Sequence, residues 1–115
     1  MAQYLILIYE DESNYLSRST EVMQQAMQAH GRFAEEVVAQ GGKILGGNQL
    51  APTPTATSIR SDVVTDGPFV ETKEALGGYY LVEAQDLDQA IAFGKLCPAP
   101  FGGVEVRPVV DNSGM

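Results

Sequence analysis

The chain opens with a run in which both alternating sets of positions are apolar. Across Gln3 to Tyr9, one set is Tyr4, Ile6 and Ile8 and the other is Leu5, Leu7 and Tyr9. This β-branched and aromatic content predicts a strand, and its two apolar faces require a cover on each side. A polar stretch, Glu10 to Arg18, precedes an amphipathic helix predicted over about Thr20 to Gln40. Its stripe is Met23, Met27, His30, Ala34 and Val37, spaced by three and four and flanked by Val22, Ala26, Phe33 and Val38. Ser17 or Ser19 supplies the N-cap oxygen, and Glu21 sits in the first turn, where the helix dipole favours a carboxylate. Gly41-Gly42 ends the helix, because glycine adopts the left-handed cap conformation at little cost.

Weaker strand signals follow at Lys43 to Leu50 and Ala56 to Arg60, separated by Pro52 and Pro54. Val63 to Phe69 runs into Asp66-Gly67-Pro68, a strong turn signal. Gly77 and Gly78 open a strand from Tyr79 to Ala84, and Asp86 caps a second helix from Leu87 to Leu96. Gln89 is placed to return the cap bond, Leu87, Ala90, Ile91 and Gly94 form the inner stripe, and Pro98 and Pro100 stop the helix. Val104 to Val109 is the last strand. The order β-α-β-β-(turn)-β-α-β, halved around a central hairpin, predicts an α+β, ferredoxin-like βαββαβ fold with both helices on one face of an antiparallel sheet. The first strand is apolar on its other face as well, and the chain holds no third layer to cover it. A second protomer packing sheet against sheet resolves this, so a homodimer is expected.

Length and charge narrow the partners. The 115 residues fit one domain, 1–115, and 44% hydrophobic with 19% charged residues is a globular composition. A net charge of −8 and a pI near 4.4, with no basic run, argue against nucleic acid and against an anionic membrane surface. The longest apolar run, Tyr4 to Tyr9, falls far short of the roughly 20 residues that span a bilayer, and no basic region precedes it. Cys97 is the one cysteine, so no intrachain disulfide forms, and a cytoplasmic location is expected.

Candidate chemistry is sparse. His30, the one histidine, lies on the helix stripe, where it is either a satisfied core group or a general acid or base working near neutral pH. In Asp66-Gly67-Pro68-Phe69, Asp accepts backbone bonds, Gly supplies a positive φ, Pro fixes the exit and Phe anchors the loop. Alternatively Asp66, Glu71 and Glu74 face a cleft as bases or hold a hard cation, although the calcium-loop pattern is missing. Arg60 and Arg107 either clamp a carboxylate substrate bidentately or pair with Glu71, Glu74 or Glu105. Tyr9, Tyr79 and Tyr80 belong to the core or a dimer seam, or a hydroxyl at a pocket edge orients a ligand. There is no phosphate loop, no zinc ligand set and no Gly-x-Ser-x-Gly elbow, and no cofactor is expected. Cys97, just before Pro98, reads as a buried structural thiol.

The stretch Val64-Thr65-Asp66-Gly67-Pro68-Phe69-Val70-Glu71-Thr72-Lys73-Glu74, followed by Leu76-Gly77-Gly78-Tyr79-Tyr80, resembles the signature of the DGPF-motif proteins, the YCII-related family. Tyr4 to Tyr9, Ala56 to Arg60 and Val104 to Pro108 agree, so the resemblance covers about residues 3 to 109. It implies a ferredoxin-like subunit that dimerises as a dimeric α/β barrel. It further implies a pocket lined by a first-helix histidine with an aspartate beside it, and genes that often accompany those of extracytoplasmic-function sigma factors. His30 falls close to that histidine, while the nearest carboxylates along the helix are Glu35 and Glu36. The resulting expectation is a small-molecule-binding protein, with catalysis left open; in an enzyme His30 would be the general acid or base and Asp66 or Glu71 its partner. Arg60 would then hold an anionic group, and Tyr9 and Tyr80 would border the site. The alternative is a non-catalytic regulatory module that acts with a sigma factor, its acidic surface capturing a basic partner.

Overall fold

The computed structural model describes residues 1–113. In chain order they form β1 (Ala2–Asp11), α1 (Glu12–Leu16), α2 (Thr20–Ala39), β2 (Lys43–Gln49), a 3-10 turn (Thr53–Thr55), β3 (Thr57–Arg60), β4 (Val63–Asp66), β5 (Glu74–Ala84), α3 (Leu87–Leu96) and β6 (Gly102–Pro108). β2, β5, β1 and β6 lie in that order in one antiparallel sheet, and β3 and β4 pair as a separate hairpin. The fold is α+β and ferredoxin-like, with the hairpin inserted as an arm between the second and third sheet strands. α2 and α3 cover one face. Tyr4, Ile6, Ile8, Val82 and Ala84 from the sheet meet Phe33 and Val37 of α2 and Ala90, Phe93 and Cys97 at α3.

The other face follows from the registers. Leu5 lies opposite Leu81 and Leu7 opposite Tyr79, so these four half-buried side chains share the side away from the helices. No described element covers them, and the molecule is only 17 Å through its thinnest direction. Among the described residues no helix is long and apolar enough to cross a membrane.

Four local differences from the sequence reading have physical causes. The polar stretch after β1 folds as α1, because the Asp11 carboxylate caps it, accepting from the backbone N–H groups of Ser13 at 3.1 Å and Asn14 at 3.4 Å. On α2 the sheet-facing line is Val22, Ala26, His30, Phe33 and Val37. Met23 and Met27, one position on from Val22 and Ala26, rotate outward and are 43% and 73% exposed. β5 begins at Glu74, and Gly77 and Gly78 lie inside it. Gly77 is the extra residue of a bulge against Ile8 and Tyr9, a place where a glycine bends a strand at little cost. The hairpin reverses at Ser61 and Asp62, with Ser61 at φ 52°, and Asp66-Gly67-Pro68 instead closes the base of the arm, where the Gly67 N–H donates to Ala56 O at 2.7 Å.

The end of α2 is a Schellman cap: the Gly42 N–H donates to Val37 O and the Gly41 N–H to Val38 O, with Gly41 at φ 86°. A Cβ on Gly42 would stand 2.5 Å from the Phe93 ring, so this glycine also lets α3 close onto the sheet.

Candidate functional site

A cleft of about 260 Å³ opens on the helix-covered face, between α2, the α1–α2 connection and the ends of β1, β2 and β5. Its floor is bare because Gly47 of β2 and Gly77 and Gly78 of β5 line it without side chains. Gly47 is required there: a Cβ would meet the Tyr79 carbonyl and the Tyr80 ring, each at 2.8 Å. Tyr80 can therefore lie flat across β2 and point its hydroxyl at α2.

His30 meets it. His30 Nδ1 and Tyr80 Oη share a hydrogen bond of 2.7 Å, and the Tyr80 ring is wedged against Phe33 with centroids 4.7 Å apart. Burial first, and then the Arg18 charge, hold the His30 imidazole below its ordinary pKa. Burial pushes the Tyr80 phenol up, with the Cys97 sulfur adding to the effect. The pair is thus an uncharged imidazole beside an uncharged phenol at neutral pH. Nδ1 is occupied, whereas Nε2 has no hydrogen-bond partner and no unpartnered side-chain nitrogen or oxygen is buried among the described residues. Nε2 is therefore the ring atom left for a ligand. When Tyr80 donates to Nδ1, Nε2 carries the proton and acts as an acid or donor; when Nδ1–H donates to Oη, Nε2 is a base.

Two charged groups share the cleft. Glu10 continues the helix-facing alternation of Tyr4, Ile6 and Ile8, and its carboxylate accepts the Phe101 N–H at 3.2 Å. Burial raises its pKa, opposed by that bond and by Arg18. The Arg18 guanidinium stacks 3.7 Å over the Tyr15 ring, and Tyr15 is tied to β2 because its hydroxyl accepts from Gln49 Nε2. Met23, Ala26 and Met27 form the apolar wall along α2.

Comparison with known proteins places the chain. The YCII-related domain profile matches residues 2–113. The chain belongs to the YCII-related family. The uncharacterized protein R00369 of Rhizobium meliloti (strain 1021) is 36% identical over 113 residues, covering 92% of this chain and 90% of that protein.

In this YCII-related chain the sequence candidates separate in space. His30 and Tyr80 come together in the cleft, and the hydrogen-bond partner of His30 is Tyr80. Asp66 is exposed at the end of β4 opposite Thr57, Glu71 is exposed beyond the arm, and the Arg60 guanidinium lies 4.3 Å over the Phe69 ring; none of the three lines the cleft. Tyr9 stands opposite Leu76 and Gly103 and does not line the cleft either. Arg107 pairs with Glu105, its neighbour two positions away. Among the described residues no three metal-ligating side chains converge, so Asp66, Glu71 and Glu74 do not form a cation cage. Glu35 and Glu36 are exposed on α2, where Glu36 accepts from Gln40 Nε2. The carboxylate that shares the cleft with His30 is Glu10. The alternation along β1 carries that signal, and Glu10 lies just past the predicted strand end at Tyr9. Arg18 and Tyr15 had no comparable signal, because their position depends on α1.

Proposed function

We propose that this YCII-related protein binds a small metabolite in the α2 cleft and that His30 moves a proton at Nε2. The observation that supports this reading is the half-buried His30, uncharged, bonded through Nδ1 to Tyr80 and open at Nε2 to a cleft of about 260 Å³. That volume suits a compact metabolite, since drug-sized ligands fill roughly 300–1,000 Å³. A histidine held near the neutral form at pH 7 accepts a proton without first having to lose one. A thermal-shift screen of metabolites against wild type, His30→Gln and Tyr80→Phe tests the reading. The expected result is a ligand that raises the melting temperature of wild type and fails on His30→Gln, because binding to the native state alone stabilises it. Equal stabilisation of His30→Gln removes His30 from the site, and no response from any protein favours the non-catalytic module that captures a basic partner.

The protein works as a homodimer on this reading. Leu5, Leu7, Tyr79 and Leu81 need a cover that no described element supplies, and the arm adds Ile59, Val63 and Val64, each more than 60% exposed. A second copy laid sheet against sheet buries such a face symmetrically. Sedimentation of wild type should give the dimer mass and Leu7→Glu the monomer mass; a monomeric wild type refutes the dimer.

A further inference from the structure

The cleft lies in a chain of charge −8, yet its wall holds a cation. Of the seven basic side chains, Arg107 pairs with Glu105, Lys73 approaches Asp11 at 3.9 Å, and Arg60 is stacked in the arm. Arg32, Lys43 and Lys95 are exposed away from the cleft. Arg18 alone lines it, and among the described residues no carboxylate comes within 4 Å of its guanidinium. Glu10, the acidic group sharing the cleft, is turned to the Phe101 N–H. The Arg18 plane is already fixed by Tyr15, which is itself held by Gln49, so the edge of the fork is oriented before any ligand arrives.

From this arrangement we propose that the ligand is a small monocarboxylic acid bound as its anion. Its carboxylate pairs with the Arg18 fork, and its apolar body lies along Met23, Ala26 and Met27 within reach of His30. The proposal rests on the α2 cleft being the ligand site and names the class it takes. A guanidinium fork matches the two oxygens of a carboxylate, and a charge-assisted pair is roughly twice as strong as a neutral hydrogen bond. A phosphate dianion fits less well. One arginine balances half its charge, Glu10 repels the rest, and the lining offers no second cation. The thioether wall favours an apolar body over a sugar, since methionine side chains adapt to apolar shapes and offer sulfur only as a weak acceptor.

The test pairs acids with their neutral isosteres: benzoate with benzamide and hexanoate with hexanamide, titrated at pH 7 into isotopically labelled wild type, Arg18→Gln and His30→Gln. The readouts are the Arg18 side-chain and His30 ring resonances and the amides of Asn48 and Gly78. Each acid should bind wild type at least tenfold more tightly than its amide. Arg18→Gln should bring each pair within about twofold, while His30→Gln keeps the preference. Acids and amides that move the cleft resonances with equal affinity, in wild type and Arg18→Gln alike, overturn the role of Arg18 and leave the cleft as the ligand site. Probes that move none of these resonances overturn both. Circular dichroism of each variant shows whether a lost preference reflects a lost fold.

Discussion

The bond between His30 and Tyr80 can be isolated by a double-mutant cycle. Tyr80→Phe removes one oxygen and keeps the ring that packs 4.7 Å from Phe33, so the change in apolar burial is small. What is lost is a 2.7 Å hydrogen bond between two half-buried, uncharged groups, which contributes about 0.5–1.5 kcal/mol. His30→Ala removes the same bond together with the imidazole packing. At pH 7.5 in urea denaturation, the double variant should therefore be less destabilised than the sum of the singles, by about 1 kcal/mol. A pH series adds a sign. Because the folded state holds the His30 pKa below 6.5, the unfolded chain binds more protons between the folded midpoint and 6.5. The stability due to this group should therefore climb as pH rises through that window, level off above 6.5, and be missing in His30→Ala. Single effects that add to within 0.3 kcal/mol would refute the pairing, since independent sites add that closely.

Two further perturbations test the frame. Gly42→Ala places a Cβ 2.5 Å from the buried Phe93 ring and 3.0 Å from the Glu83 carbonyl, and should cost about 1–3 kcal/mol in denaturation, as overpacking does; an unchanged midpoint would mean that α3 does not close on the cap as described. Burial pushes the Cys97 thiol up to about 12 from 9.0, so the folded state keeps a proton that the unfolded chain loses above pH 9. Wild type should lose stability relative to Cys97→Ala as pH rises from 9 toward 12, and the native thiol should react with a disulfide reagent only as fast as the chain opens.

How far the sequence carried the fold depends on where periodicity was strong. The double alternation in Tyr4 to Tyr9, the Gly41-Gly42 stop and the Asp86 cap are local signals, and the ferredoxin-like order follows from them. The rotation of α2 was less legible. Met23 and Met27 have the right spacing and hydrophobicity, and only the choice of Phe33 and Val37 as anchors turns them toward the rim. The arm shows the opposite failure: Asp66-Gly67-Pro68 is a true turn signal, yet Ser61 makes the reversal without a glycine or proline to announce it. The site was half legible. His30 and Tyr80 are 50 residues apart and both read as candidates in the sequence, but their meeting depends on the bare Gly47 in the adjacent strand, where a Cβ would collide with the Tyr80 ring. Asp66, Arg60 and Glu71 looked functional because the motif around them is distinctive, whereas that motif shapes the base and exit of the arm. Glu10 and Arg18 looked like connector residues, and α1 brings Arg18 to the cleft.

The most direct single measurement is the pH titration of the His30 imidazole by NMR in wild type and in Arg18→Gln. A cleft that buries His30 beside an unpaired guanidinium gives a wild-type midpoint below 6.5. That midpoint should rise in Arg18→Gln but stay below 6.5, because burial is the larger cause and remains. A wild-type midpoint at or above 6.5, or one that Arg18→Gln leaves unmoved, would mean that His30 and Arg18 do not share a site.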